Sequence, residues 1–192
     1  MRLPKESGAK TRPRPDFSPW PLQPLPTTSP MQFNTADLYD RFEDQLRVCD
    51  PVFRDFGGRT AFHGRVVTAK CFEDNTQVKA ILAGSGSGRV LAVDAGGSLR
   101  CAMLGDLIAA DAVKNGWAGV ILYGCIRDSS QIAAMDLGVK ALAANPRKSV
   151  RRGEGQRDCP VSFAGVRFAP GDWVYADADG VLVADRSLEP AA

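Results

Sequence analysis

Apolar and polar positions along this 192-residue chain change period several times, and each change marks an element. Thr60 to Lys70 alternates apolar and polar side chains, the two-residue period of a half-buried strand. Val90 to Val93 is continuously apolar, the pattern of a strand covered on both faces. A glycine turn follows at Gly96 and Gly97. Gly105-Asp106 then opens an amphipathic helix with apolar positions at Leu107, Ile108, Ala112 and Val113, and Gly116 ends it. Gly119 to Tyr123 is a second buried strand, with Arg127 and Asp128 at its carboxyl end.

Around this centre the signals are shorter. Asn34-Thr35 is a helix cap before ADLYDRFEDQL, where Leu38, Phe42 and Leu46 share one face, and Asp50-Pro51 ends the element. Gly57-Gly58 punctuates. Glu73-Asp74-Asn75 precedes a helix over Thr76 to Leu82. After Asp128 the pattern predicts a helical stretch over Ser130 to Met135 and a strand or buried turn over Leu137 to Leu142. Val161 to Phe163 and Val166 to Phe168 form a hairpin across Ala164-Gly165. Pro170-Gly171-Asp172 turns into Trp173 to Ala176, and Asp177 to Gly180 turns into Val181 to Ala184. A middle that alternates strand and helix, with a β-rich second half, predicts a mixed α/β domain over residues 31–192.

Residues 1–30 stand apart. They hold eight of the 13 prolines and no periodic apolar pattern, so they cannot bury enough surface to offset the entropy of ordering. The expectation is a disordered leader, and Met31 leaves room for an upstream start codon. RLPKESGAKTRPRPDF lacks the apolar core of a signal peptide.

Charge and cysteine usage narrow the function. The net charge of +2 is concentrated in the leader, and the body is close to neutral. That argues against direct nucleic-acid binding, which needs clustered positive charge. No apolar run reaches the roughly 20 residues that span a bilayer. Cys49, Cys71, Cys101, Cys125 and Cys159 are far apart, odd in number and accompanied by one histidine, His63. Reduced thiols in a cytoplasmic protein are expected, without a zinc site.

The glycine run GSGSGR, 84–89, follows a helix and precedes a strand. A phosphate or dinucleotide loop needs the reverse order, so it reads as a flexible connection and gives no methyl-donor site. KSVRR, 148–152, reads as a solvated strand edge.

The chemistry gathers at Asp106, Arg127 and Asp128. A helix and then a strand between Asp106 and Arg127 can return both ends to one sheet edge, where ligands of α/β sheets collect. Amides of Gly105 to Ile108 at a helix N-terminus favour an anion. Arg127 offers a planar fork for a carboxylate, and the two acids offer hard oxygen ligands for Mg²⁺ or Mn²⁺. Together these suit a 2-oxo acid whose enolate is stabilised as a C–C bond breaks. Residue types and spacing alone leave open a plainer reading, in which Asp106 only caps its helix and Arg127–Asp128 is a surface ion pair.

The stretches DPVFRDFGGRTAFHG, VVTAKCFEDN, GRVLAVDAGGSLRCAMLGD, GWAGVILYGCIRD and GDWVYADADGVLV bear on that choice. Through them the chain, from Met31 to Leu188, resembles the RraA-like family of 4-hydroxy-4-methyl-2-oxoglutarate aldolases and regulators of ribonuclease activity. The resemblance implies a swivelling β/β/α fold with a mixed central sheet, assembled as trimer rings or a dimer of trimers with sites between subunits. It implies divalent-metal pyruvate aldolase and oxaloacetate decarboxylase activity in members that carry D-x20-R-D, here Asp106, Arg127 and Asp128. By that likeness Arg127 and Asp106 are catalytic, with Asp106 orienting metal-bound water. Gly105, Asp106, Leu107, Ile108 and Arg127 bind substrate, and Asp128 holds the metal. One branch of the family inhibits a ribonuclease and departs from the motif at the acids, which this chain retains. The alternative is therefore a protein partner of a ribonuclease. In some aldolases a glutamate from the neighbouring subunit's C-terminal arm assists, and only Glu189 could serve here. A demethylmenaquinone methyltransferase role, once attached to the family, finds no support in the glycine pattern.

Overall fold

The computed structural model describes residues 33–188. The expected leader, residues 1–30, and Glu189 lie outside them. The first helix, α1 (Thr35–Phe42), begins where expected, because the Asn34 side chain accepts hydrogen bonds from the amides of Ala36 and Asp37 at 2.8 and 3.3 Å. It is shorter than its apolar spacing predicts. Phe42 leaves helical geometry, a three-residue turn follows, and Leu46 opens strand β1 (Leu46–Val48). Leu38, Phe42 and Leu46 nevertheless meet in one apolar cluster with Tyr175, Leu182 and Leu188.

The main sheet is built on four parallel strands. β2 (Arg54–Asp55) lies outside that set, at one edge. The parallel set consists of β3 (Phe62–Lys70), β4 (Val90–Asp94), β6 (Gly119–Ile126) and β7 (Gly138–Ala144), adjacent in that order. The crossovers carry helices α2 (Thr76–Leu82), α3 (Asp106–Lys114) and α4 (Ser129–Ala133). A short strand that the apolar pattern does not reveal, β5 (Ala102–Leu104), also pairs parallel with β6. β8 (Gln156–Arg157) adds to β3. β9 (Val161–Phe163) and β10 (Val166–Phe168) form the expected hairpin. β11 (Trp173–Ala176) and β12 (Val181–Ala184) extend the sheet antiparallel from β3 to β1. The sheet is therefore mixed, as expected.

Successive strand residues point to opposite faces, and β4 divides accordingly. Leu91 and Val93 join the core under α2 and α3, while Val90 and Ala92 join the core under the hairpin and β11. Burial on both faces is why the run is apolar without alternation. Gly119 and Gly138 accept the Phe62 ring against their backbones, and a Cβ at either would run into it.

Several boundaries move by a few residues. β6 runs on to Ile126, past the expected Tyr123, β7 reaches Ala144, and α4 starts and ends earlier than Ser130 to Met135. The cysteines are free thiols, four of them buried, and burial pushes Cys49 and Cys71 up to about 12. The 84–89 segment connects α2 to β4 as expected, but it is pinned rather than loose. Gly86 and Gly88 amides donate to Asn115 O and Gly116 O at 2.7 and 2.8 Å. A Cβ on Gly86 would sit 2.6 Å from Trp117 Cγ. Glycine at 86 serves packing against Trp117. No helix among the described residues is long and apolar enough to cross a membrane.

Candidate active site

Strand register assembles the candidate site. Leu104 pairs with Ile126 across β5 and β6, so the next residues, Gly105 and Arg127, leave the sheet side by side. The Arg127 amide donates to Leu104 O at 2.9 Å, which locks this alignment. Gly105 is extended and serves as the N-cap of α3. The helix buries Ile108, Ala109 and Ala112. Leu107 and Val113 differ from the expected apolar face: Leu107 is 76% exposed and Val113 is partly exposed. Leu107 lies one turn position away from the core and borders the cavity instead.

Asp128 adopts left-handed geometry, φ 57° and ψ 41°, a region that Asp tolerates better than most side chains. Its Oδ2 then accepts the Asp106 amide at 3.3 Å and lies 3.2 Å from Arg127 Nε. Asp106 Oδ1 accepts the Leu107 amide at 2.7 Å. Two amides of the first turn are therefore held by the chain's own carboxylates. The Ile108 amide has no partner among the described residues and remains for an incoming anion. Gly105 makes this closeness possible. A Cβ there would stand 3.0 Å from Asp128 Oδ2, 3.1 Å from Arg127 Nε and 3.3 Å from Arg127 Cγ.

These residues open on a cavity of about 520 Å³. Gly105, Asp106, Leu107, Ile108 and Arg127 line it, so the structure brings together every expected substrate-contacting position. Asp128 is not part of that lining but touches Arg127, which is, and its own side chain is about one-third exposed. The cavity is also lined by residues that sequence reading missed: Asn75, the N-cap of α2, Lys79 from α2, and Lys148 and Arg151 from the basic run. That run is not a strand edge. Beyond one isolated bridge between Lys148 and Ala102 it is irregular, and Lys148 and Arg151 from it line the cavity. Its only signal in the sequence was three cations in five residues.

The donor set fits a hydrated divalent cation. Asp106 Oδ2 and Asp128 Oδ1 carry no hydrogen bond among the described residues, and both are hard oxygens. No group of three or more His, Cys, Asp or Glu gathers among those residues. Mg²⁺ is suited to one or two carboxylates with several waters retained, rather than to a full protein cage. His63 belongs elsewhere. It stacks on Tyr175 with ring centroids 5.7 Å apart, and burial followed by the Arg59 charge lowers its pKa.

Comparison with known proteins places this geometry in context. Residues 35–183 match the model of the RraA-like family, Aldolase/RraA. A protein of Alkalilimnicola ehrlichii named "Putative 4-hydroxy-4-methyl-2-oxoglutarate aldolase" is 58% identical over 161 residues, covering 84% of this chain and all of that one. A protein of the same name from Pseudomonas fluorescens is 53% identical, covering 81% of this chain and 95% of the relative. Among solved structures, the RNA-processing inhibitor RraA from Thermus thermophilis superposes with a TM-score of 0.79 at 42% identity, covering 84% of this chain and 96% of that one. A Geobacillus kaustophilus protein described as an S-adenosylmethionine: 2-dimethylmenaquinone methyltransferase superposes at 0.81 and 48% identity, covering 83% and 100%.

Proposed function

The chain belongs to the RraA-like family, and on that premise we propose that it is a divalent-metal-dependent carbon–carbon lyase. The reaction is cleavage of 4-hydroxy-4-methyl-2-oxoglutarate to two pyruvates, with decarboxylation of oxaloacetate as a side activity. The observation that carries the proposal is the meeting of Gly105, Asp106, Arg127 and Asp128 at one sheet edge beside the cavity.

In the cleavage the C4 hydroxyl loses its proton and the C3–C4 bond breaks. Its electron pair moves to C3 and on to the C2 carbonyl oxygen as an enolate. Protonation at C3 releases one pyruvate, and C4 becomes the carbonyl of the other. In oxaloacetate the same bond breaks and carbon dioxide leaves. Asp128, with Asp106 beside it, would hold a divalent cation, which would supply positive charge against the electron density that builds on the keto oxygen. The Ile108 amide and the dipole of α3 hold the substrate carboxylate. Arg127 donates its planar fork to the substrate oxygens where charge develops, and its position is fixed before substrate arrives. Asp106 Oδ2, free while Oδ1 is bound to the Leu107 amide, is the atom that takes the hydroxyl proton, directly or through water. Glycine at 105 keeps these groups within contact of one another.

The active form is proposed to be a homotrimer or a dimer of trimers, whose mass light scattering measures. The test of function is pyruvate release from oxaloacetate and from 4-hydroxy-4-methyl-2-oxoglutarate with Mg²⁺, with and without EDTA. EDTA should abolish release. Likeness to the Thermus inhibitor supports a second reading, a protein partner of a ribonuclease, which takes precedence if neither substrate yields metal-dependent pyruvate.

A further inference from the structure

A second cavity, of about 330 Å³, shares Lys148 with the first. The segment around Lys148 runs alongside β5. The Ala102 amide donates to Arg147 O at 2.8 Å, and Lys148 bridges Ala102. Side chains along it alternate between the two cavities, as they do on extended backbone. Arg151 lines the first, whereas Val150 and Arg152 line the second; Ala102 lines the first and Cys101 the second.

The second cavity is electropositive. Arg100, Arg147, Lys148 and Arg152 line it against two acids, Glu73 and Glu154, so its wall carries a surplus of two positive charges. Glu73 is already engaged, since its Oε1 accepts Arg100 Nε and Ser98 Oγ, both at 2.6 Å. Arg147, Lys148 and Arg152 form no ion pair among the described residues. Ser149 lines the same cavity and is 8% exposed, and its Oγ has no hydrogen-bond partner among the described residues. Buried polar atoms are nearly always paired. An orphaned hydroxyl beside unpaired cations therefore points to a ligand oxygen.

Part of the wall is apolar. Phe72 and Val150 line it and are 56% and 57% exposed. The Phe72 ring rests on Gly96, where a Cβ would stand 2.7 Å from its Cδ2, and Arg100 Cζ lies 5.6 Å from the ring centroid. A carboxylate brings one negative charge. A phosphate monoester brings about −1.5 to −2 near pH 7, with three acceptor oxygens, which matches the surplus on this wall. Inorganic phosphate alone would leave Phe72 and Val150 without a partner.

We infer that this second cavity binds a phosphate monoester with a flat apolar body, of the nucleoside monophosphate class. Arg147 and Arg152 hold the phosphoryl oxygens, with Lys148 and the Ser149 hydroxyl beside them, and the Phe72 ring receives the base. The inference does not depend on the lyase reading.

The test is calorimetric titration of the full-length protein with AMP, adenosine and inorganic phosphate, with thermal melts on every variant. AMP should bind at least about tenfold more tightly than either fragment, since a hydrogen bond to a charged group is worth about that factor. Arg147→Gln and Arg152→Gln should each weaken AMP about tenfold or more. Both side chains are exposed, so the fold should survive. Phe72→Ala should bring AMP towards the affinity of inorganic phosphate, a loss of roughly 5- to 150-fold for one stacked base. Ser149→Ala should weaken AMP without lowering the melt of the free protein, because the hydroxyl it removes has no partner there; a purely structural serine would lower the melt and leave AMP unchanged. Arg151→Gln alters the first cavity and should leave AMP affinity as it is. No binding of AMP, equal affinity for AMP and inorganic phosphate, or parental affinity in the Arg147 and Arg152 variants would each overturn the inference. So would a loss in Arg151→Gln as large as that in Arg152→Gln, which would place the ligand in the first cavity.

Discussion

Gly105→Ala isolates the geometry of the site from its chemistry, because it removes no functional group. The backbone at 105 is extended, φ −132° and ψ 177°, so alanine meets no strain there. The added Cβ would stand 3.0 Å from Asp128 Oδ2 and 3.1 Å from Arg127 Nε. Ordinary contact is a few tenths of an ångström longer, so both side chains must withdraw. They can do so, since each is about one-third exposed. The fold should therefore survive. Alanine is a poorer N-cap than glycine, a loss of about 1 kcal/mol, which lowers Tm by roughly 2–4 °C in a domain of this size. Activity should fall much further. A misplacement approaching 1 Å is enough for about 10²-fold, so kcat/KM for oxaloacetate should drop roughly 10- to 100-fold, about 1.4–2.7 kcal/mol of transition-state stabilisation. Pyruvate is followed by coupling to lactate dehydrogenase, with a melt on the same preparation. Full activity in a folded Gly105→Ala protein would refute the reasoning. A melt lowered by much more than about 8 °C would show that glycine is needed for the fold rather than for the site.

Four further outcomes are expected. Arg127→Ala should lower turnover by about 10²–10³, the usual effect of losing one preorganised contact, and Arg127→Lys should not recover it; parental rates in both folded variants would exclude this sheet edge. Asp128→Asn should raise the Mg²⁺ concentration for half-maximal activity and leave the melt nearly unchanged, because Asn accepts left-handed geometry, whereas Asp128→Ala should also lose stability. Burial raises the Asp74 pKa, but hydrogen bonds from Thr76, Arg152 and Glu154 outweigh it and hold the carboxyl well below the usual range. Its stabilisation is then fully present above the unfolded value near 3.9 and fades as pH falls below it, so Asp74→Asn should melt less steeply with acid than the parent; identical slopes would remove Asp74 from the acid response. A chain starting at Met31 should unfold within about 2 kcal/mol of the full chain by denaturant titration, and a larger loss would mean that the leader packs on the domain.

Much of the fold could be read from the chain because its elements carry strong local signals. β4 is a continuous apolar run, the hairpin turns on Ala164-Gly165, and Asn34 caps its helix with its own side chain. Such features act over a few residues, and short-range sterics and hydrogen bonding decide them. Where the local signal is weak, tertiary pairing decided. Ala102–Leu104 became a strand because β6 extends to Ile126 and offers it an edge. Leu46 left the helical pattern because Ala184 pairs with it.

The site divides in the same way. Asp106, Arg127 and Asp128 could be named from residue type, from the helix and strand between them, and from the family motif they match. Their contact could not, because it depends on the pairing of Leu104 with Ile126 and on the missing Cβ at Gly105. That other residues join the same cavity was not legible. Lys79 and the pair Lys148 and Arg151 come from segments far apart in sequence, and the loop that carries the pair is fastened to the start of α2 by a buried carboxylate, Asp74, which accepts the amides of 152 and 154. A run such as KSVRR states only that charge is present. Which cavity that charge faces is set by long-range hydrogen bonds that no local period encodes.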